Sequence, residues 1–286
     1  MLTLIDAVAE SARTHGGRAY IKCHASTGQT CPGYPDPISG DPINFNFLPH
    51  YSQPSMGLLP HTVQAYALDD PTAGTYGNAD WSAMSAWLRW ELEHGDPSRE
   101  VVYHPESNYW VNVDVDVPLF LPLYGERRLR DIRHLLTGHS SAAPAASARA
   151  RRIDGTLLFD SGWEWGAWLS DVVAARAAWD PLLGPKSPCA DVFAAAVTPI
   201  GVSLLGPSLG PQFAEKVAEL AIAQHRLLIL GGASSPVRAD LARLSGFGYL
   251  SGRSAWTDLL QLVGVAATQA RLPSCCRGIP AHHHAR

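Results

Sequence analysis

Short apolar segments, each ending in polar and chemically reactive residues, recur through the first 160 residues and alternate with helix-forming segments. Four of them are rich in β-branched and aromatic residues and are predicted to be strands: 19–24, 61–68, 100–104 and 155–159. The polar residues at their ends are Cys23-His24, Asp69-Asp70, His104-Pro105-Glu106 and Asp160. Strands that alternate with helices indicate βα units and a mainly parallel sheet, which binds ligands at the carboxyl ends of its strands. The pattern therefore predicts a site along that edge of the sheet.

The intervening segments have helical periodicity, and the second half of the chain is predicted to be almost entirely helical. Helices are expected at residues 2–14, 80–94, 126–136, 166–180 and 190–270. Residues 31–60 contain many Pro, Gly and Asn together with three aromatic residues, and we expect an ordered irregular loop there.

Four or five strands are fewer than the eight of a closed (β/α)8 barrel. We therefore expect an α/β fold, with a partial or complete (β/α)8 TIM-barrel-like domain over residues 1–183. A mostly helical C-terminal region at 184–270 is expected to pack on the barrel. The Ala/Ser/Arg-rich stretch 138–152 is predicted to be a flexible insertion, and residues 271–286 a disordered tail.

Composition narrows the range of partners. The formal net charge is -4 and no basic stripe with interleaved aromatic residues occurs, so no nucleic-acid partner is expected. The apolar segment Val192–Leu209 is interrupted by Pro199 and Pro207, which favours a buried or membrane-adjacent helix pair over a simple membrane span. The N-terminal segment carries charges and no cleavage-like end, so no signal peptide is predicted. A longer form of the chain is compatible with secretion or membrane association, and no sequence pattern indicates an oligomeric state.

Five cysteines form no framework. Cys23 and Cys31 lie in one segment and can pair in an oxidising compartment, whereas a reducing compartment leaves both as thiols.

Two glutamates, Glu106 and Glu164, are the preferred catalytic candidates. Glycosidic bond cleavage commonly uses two carboxyl groups, one as acid and one as nucleophile or base. Glu106 directly follows a predicted strand, and Glu164 lies between two tryptophans, an apolar setting that suits a general acid. Asp69, Asp70 and Asp160 are further candidates at strand ends, although Asp-Asp-Pro is also ordinary turn chemistry.

Aromatic residues cluster next to these carboxylates. The chain has nine tryptophans, and flat aromatic faces next to hydrogen-bonding groups suit sugar rings, although interior packing explains a single Trp equally well. The expected sugar platform comprises Tyr109, Trp110, Trp163 and Trp165, and Asn108 is expected to bind the substrate beside it.

Three histidines, His24, His61 and His104, lie at strand ends or starts and are predicted to contact the substrate. A neutral histidine can hydrogen-bond a sugar hydroxyl, whereas His24 and His104 together with an aspartate could also hold a divalent metal. No HxH or HExxH spacing occurs. The preferred interpretation therefore includes no metal and no cofactor.

Five blocks of the sequence resemble an uncharacterised family of larger eukaryotic proteins. They are HASTGQTCPGYPDPISGDPINFNFLPH, LPHTVQAYALDDPTAGTYGN, YHPESNYWVNVDVDVPLFLPLYGERRL, FDSGWEWGAWLSDVVAARAAWDP and LSGFGYLSGRSAWTDL. The resemblance implies that this chain corresponds to a C-terminal portion, with further barrel elements before Met1. The Trp-rich loops and strand-end carboxylates are also similar in architecture to glycoside hydrolase barrels.

The preferred hypothesis is therefore a glycoside-hydrolase-like protein that cleaves or binds a carbohydrate in a Trp-lined cleft. One alternative is a metal-dependent hydrolase that uses His24, His104 and an aspartate. Another is a non-catalytic carbohydrate-binding or membrane-associated protein.

Overall fold

The computed structural model describes residues 1–24, 28–63, 67–69, 81–109, 120–137, 152–161, 164–180 and 190–225. These residues form a mixed α/β structure. The predicted insertion at 138–152 falls outside them except for Arg152, and the predicted tail at 271–286 lies wholly outside them.

The parallel strands lie side by side in chain order. Strand β1 (Ala19–Cys23) pairs in parallel with β4 (Met56–Pro60). A parallel bridge between Leu58 and Val101 places the third strand segment beside β4, and the bonds from His104 N to Pro60 O (2.9 Å) and from Glu106 N to Thr62 O (3.1 Å) extend this pairing.

The third and fourth strand segments are each interrupted once. Strands β5 (Val102–Tyr103) and β6 (Glu106–Tyr109) pair in parallel with β7 (Gly155–Thr156) and β8 (Phe159–Ser161) respectively. In the described part of the chain the strands do not close into a barrel, so the structure shows an α/β fold and not a complete TIM barrel.

The connection between β1 and β4 is more ordered than the sequence suggests. Residues 31–60, expected to be an irregular loop, include the antiparallel pair β2 (Thr30–Pro35) and β3 (Pro42–Asn44) and a 3-10 helix (Phe45–Tyr51). They also include β4. The strand predicted at 61–68 is therefore misplaced: residues 61–63 directly follow β4 and are not in a strand. The apolar run MGLLP forms the strand because β1 provides its hydrogen-bonding partner.

The described helices lie close to the predicted ones, except that the helix expected at 126–136 begins four residues earlier, and the predicted helical residues 226–270 lie outside the described residues. Helix α1 (Leu2–Thr14) precedes β1, α2 (Ser82–His94) lies between β4 and β5, and α3 (Pro122–Thr137) lies between β6 and β7. Helix α4 (Glu164–Trp179) follows β8. The apolar sides of α2, α3 and α4 join one buried cluster that includes Leu58, Tyr103, Trp87, Ile132 and Val173. Ile5 and Ala9 of α1 form a second, smaller cluster with Met56 of β4. Burial of this cluster holds the helices on the sheet.

Helix α5 (Ala190–Gln224) turns back on itself. Gly206 has φ 79°, a left-handed conformation that interrupts the helix, and the backbone of Gly201 lies directly against that of Gly210. Contact between residues nine positions apart requires the chain to reverse, because nine helical residues would span about 13 Å. Among the described residues, Val192–Gln224 is the one helical stretch long and apolar enough to cross a membrane. An 18-residue window within it has a mean hydropathy of 1.7, and 28% of that window is buried. The reversal at Gly206 divides it into the helix pair that the two prolines predict.

Polar side chains form hydrogen bonds near the amino ends of the strands. The buried guanidinium of Arg99 donates to the carbonyl oxygens of Pro49 (2.6 Å) and Ser52. Beside it, Nδ1 of His50 lies 2.6 Å from Oε1 of the buried Glu91. These contacts tie the 3-10 helix and α2 to the edge opposite the strand-end histidines. We interpret them as stabilising, since the amino-end face of such sheets contributes stability rather than chemistry.

Candidate functional site

Three histidines form a row across the sheet, each directly after a strand: His24 follows β1, His61 follows β4 and His104 follows β5. Cys23 pairs with Pro60, so the next residues, His24 and His61, lie side by side. The bridge between Leu58 and Val101 in the same way aligns His61 with His104. The ring centroids are 5.3 Å apart for His24 and His61, and 5.1 Å apart for His61 and His104. We call these three residues the histidine row.

Each of the two buried histidines is oriented by the next strand. Nδ1 of His61 lies 2.6 Å from the carbonyl oxygen of His104, and Nδ1 of His104 lies 2.5 Å from that of Leu157. A carbonyl oxygen only accepts, so Nδ1 carries the proton in both rings. In the neutral rings Nε2 is therefore the unprotonated atom, an acceptor.

Burial keeps these rings neutral. Desolvation lowers the pKa of His61 well below its ordinary value of 6.5, with the charge of Lys22 acting in the same direction. Desolvation also lowers the pKa of His104, although the hydrogen bond to Leu157 opposes it. Both histidines are therefore neutral hydrogen-bonding groups at pH 7.

Glu106 lies next to the histidine row and is 3% exposed. Alternation along the strand places its side chain on the same face as His104, two residues earlier. Its Oε1 is 3.5 Å from Nε2 of His61, which has no hydrogen-bond partner among the described residues. A carboxyl group and an imidazole acceptor thus face each other in an almost solvent-free space.

Phe159 forms one wall of this space. It pairs with Glu106 across the β6–β8 register, and its ring contacts those of His61 and His104 edge-on at 5.9 Å. Nζ of Lys22 lies 5.1 Å from the centroid of the same ring, within cation–π range. The site therefore combines a carboxyl group, neutral acceptors, an ammonium group and an aromatic face.

A buried polar network on α3 supports this edge of the sheet. Nη1 of Arg128 donates to the carbonyl oxygen of Glu106 (3.0 Å) and to Oγ1 of Thr62 (3.2 Å). The hydroxyl of Tyr103 donates to Oδ2 of Asp131 (2.7 Å) and lies 2.7 Å from Oγ1 of Thr62. Oδ1 of Asp131 accepts from the backbone N–H of Leu68 (2.9 Å).

We call Arg128, Asp131, Tyr103 and Thr62 the α3 clamp. All four side chains are buried. Burial raises the pKa of Asp131 to about 6, against the opposing effects of Arg128 and of the hydrogen bonds from Tyr103 and Leu68. Sequence reasoning missed this network because ERRLRDIRH has the composition of a solvated helix face. The one available signal was Arg128 and Asp131 at helical spacing of three.

The aspartates at the strand ends differ in their surroundings. Asp69 forms an ion pair with Arg130 of α3, with Oδ2 2.5 Å from Nη2. Asp160 lies in β8, where it pairs with Asn108 of β6. Asp171, which the sequence did not suggest, lies on α4 and hydrogen-bonds with Ser107, and burial raises its pKa.

The remaining candidates are placed by their backbone or lie outside the described residues. Asn108 and Tyr109 are in β6, and Glu164 and Trp165 are the first two residues of α4, with two residues between it and the end of β8. Asp70, Trp110 and Trp163 lie outside the described residues.

Two further features concern metals and thiols. Among the described residues, no group of three or more His, Cys, Asp or Glu side chains could hold a metal ion. Cys23, which is buried, and Cys31 are both free cysteines in the structure.

No family model matches the chain, and neither a curated protein nor a solved structure matches it. The geometry of the site is therefore the basis on which a function is proposed.

Proposed function

We propose that this protein is a carbohydrate-active hydrolase of the (β/α)-barrel type, in which Glu106 is the carboxyl group that exchanges a proton with the glycosidic oxygen. The observation that carries the proposal is the meeting of Glu106, the first residue of β6, with His61 and His104, which directly follow the parallel strands β4 and β5. In (β/α) barrels the catalytic residues come from the ends of several strands, as here.

The order of the strands supports a barrel-type assembly. Four parallel strand segments follow one another in space as they do in the chain, and helices α2 and α3 lie between successive strands. A barrel is built from such consecutive βα units, whereas a doubly wound sheet reverses its strand order.

The chemistry suits a neutral sugar substrate. Nε2 of a neutral histidine accepts a hydrogen bond from a sugar hydroxyl, and the ring of Phe159 offers an apolar wall to the C–H face. Glu164 is the preferred second carboxyl group, because α4 begins with it and only two residues separate it from the end of β8. Asp160, Asp69 and Asp70 are alternatives, and Tyr109, Trp110, Trp163 and Trp165 would complete the platform. His24 would extend the row of hydroxyl acceptors.

The test is hydrolysis of a panel of 4-nitrophenyl glycosides with α and β linkages by the full chain. Glu106→Gln should lower kcat/KM by about 100-fold or more, because general acid–base catalysis contributes 10²- to 10⁴-fold. Glu10→Gln is the matched control, because Glu10 is an exposed glutamate on α1. Hydrolysis that is unchanged in Glu106→Gln would contradict the assignment.

Carbohydrate binding without turnover is a second candidate. It is favoured by the burial of Glu106 (3% exposed) and His61 (0% exposed), which leaves little of either group open to a reacting bond. Binding to a glycan array with no released product would support it. Loss of that binding in His61→Ala would locate the bound sugar at the histidine row.

A further inference from the structure

The backbone at Glu106 is held by a side chain from another element. The carbonyl oxygen of Glu106 accepts from Nη1 of Arg128, whose side chain is fully buried in α3. The backbone N–H of Glu106 donates to the carbonyl oxygen of Thr62 on the neighbouring strand segment. The position from which the Glu106 side chain emerges is therefore fixed on both sides.

Arg128 is itself oriented by a partner on its own helix. Its Nη2 lies 3.5 Å from Oδ2 of Asp131, one helical turn away. The same Oδ2 accepts from the hydroxyl of Tyr103, and Oδ1 accepts from Leu68 N. Asp131 thus connects α3 both to β5 and to the segment that carries Asp69.

Burial of the charged groups in this network costs solvation free energy. Burying a guanidinium and a carboxylate removes both from water, and apolar residues of similar volume often stabilise a protein as well or better. What this buried, hydrogen-bonded pair provides is a defined geometry, although Nε of Arg128 has no hydrogen-bond partner among the described residues. Here that geometry is the position of strand segment 103–106 relative to α3.

We propose that Arg128 and Asp131 are positioning residues that hold Glu106 in place against the histidine row. The clamp acts through the carbonyl oxygen of Glu106 and the hydroxyls of Thr62 and Tyr103, and neither Arg128 nor Asp131 touches the substrate. Its consequence for turnover rests on the proposed function, whereas its consequence for the backbone at Glu106 does not.

The charged and titratable groups that face Asp131 come from three elements. They are Arg128 on α3, Tyr103 on β5 and Asp69 on the segment after β4. Thr62, which bonds both Tyr103 and Arg128, completes the surroundings.

Hydrogen exchange measured by mass spectrometry on the full chain tests the positioning role without any substrate. Arg128→Met keeps the unbranched apolar stem of the side chain and removes its donors. It should speed exchange at the backbone amides of His104 and Glu106 by roughly 10- to 100-fold, the effect of losing a charged hydrogen bond. Exchange in α1 and at the β1–β4 pair should be unchanged.

Arg128→Lys should restore slow exchange in part, because one donor can still reach the Glu106 carbonyl. Arg13→Met, which removes an exposed arginine of α1, is the control. Unchanged exchange at 104–106 in Arg128→Met would overturn the proposal, and so would an equal increase in every segment. If Arg128→Met does not fold, hydrogen exchange is measured in Arg128→Lys and in Asp131→Asn instead. Faster exchange confined to residues 104–106 supports the positioning role, and an equal increase in every segment overturns it.

The kinetic measurement separates the two proposals. If the chain hydrolyses one of the 4-nitrophenyl glycosides, Arg128→Met should lower kcat about tenfold or more with a smaller change in KM. Glu106→Gln should lower kcat by about 100-fold or more while hydrogen exchange at residues 104–106 stays slow. Local exchange that responds to Arg128→Met, in a chain that hydrolyses none of the glycosides, would reject the proposed reaction and support the positioning role.

Discussion

Replacing Asp131 by Asn gives a stability change whose dependence on pH can be worked out from the structure. Burial raises the pKa of Asp131 from its ordinary 3.8 to about 6, and Arg128 only partly offsets this. The folded chain therefore binds a proton at Asp131 more tightly than the unfolded chain does. Between pH 4 and pH 6 protonation favours the folded state.

The sign and size follow from linkage. Where the folded state binds more protons, the free energy of unfolding decreases as pH rises. The change from 3.8 to about 6 corresponds to roughly 3 kcal/mol, because one pKa unit is about 1.4 kcal/mol. The contribution of Asp131 should be greatest below pH 4 and should be lost by about pH 7. Asp131→Asn has no such titration.

Urea unfolding, followed by tryptophan fluorescence from pH 4 to pH 8, measures this contribution. The stability of the wild type minus that of Asp131→Asn should fall by about 2 kcal/mol as pH rises from 4 to 7, most of the full linkage effect. The difference between the two proteins cancels the titration of all other groups that the substitution leaves unaffected. Arg128→Met should move the midpoint of the effect to higher pH, because the guanidinium favours the ionised carboxylate. A flat difference, or one that rises with pH, would show that the charge of Arg128 outweighs desolvation and would refute the reasoning.

Other outcomes test the remaining geometry. In ¹⁵N NMR spectra His61 and His104 should remain neutral below pH 6.5 with the proton on Nδ1, and a predominant Nε2–H tautomer would be incompatible with their hydrogen bonds. Gly206→Ala should lower the free energy of unfolding by about 1 kcal/mol, because Gly206 has a positive φ. Gly201→Ala should lower the free energy of unfolding further, because a Cβ there would lie 2.5 Å from a backbone oxygen. The reverse order in urea unfolding would argue against the helix reversal. Cys23 should resist alkylation in the native protein, because it is 0% exposed and burial raises its pKa, and rapid labelling at Cys23 by peptide mapping would contradict this.

Local sequence patterns predicted most of the described helices. The amphipathic periodicity of residues 2–14, the tryptophan spacing after residue 80 and the prolines after residue 198 led to α1, α2 and the divided α5. These signals lie within a few neighbouring residues, since helices bond and pack at i, i+3 and i+4. Strands at 19–24 and 100–104 were also predicted close to β1 and β5.

The second strand shows where local patterns were insufficient. HTVQAYAL has the composition of a strand, yet the chain pairs MGLLP with β1 and leaves His61 just past the strand end. Strand pairing depends on a partner that is distant in sequence, so two neighbouring apolar runs can compete and composition does not decide between them. The misplacement changed the role of His61 from a residue that begins a strand to the centre of the histidine row.

By itself the sequence determined which chemistry is available: carboxylates, histidines and aromatic residues at the ends of short apolar strands. Only the tertiary structure decided which of these groups meet. The parallel register brings His24, His61 and His104 into one row, and it sets Glu106 against His61. It also turns Arg128 and Asp131 of a highly charged helix inward. The histidine row and the inward-facing Arg128 and Asp131 both depend on pairings between residues some 20 to 60 positions apart. Burial and hydrogen bonding across strands are properties of the assembled sheet and not of any local segment.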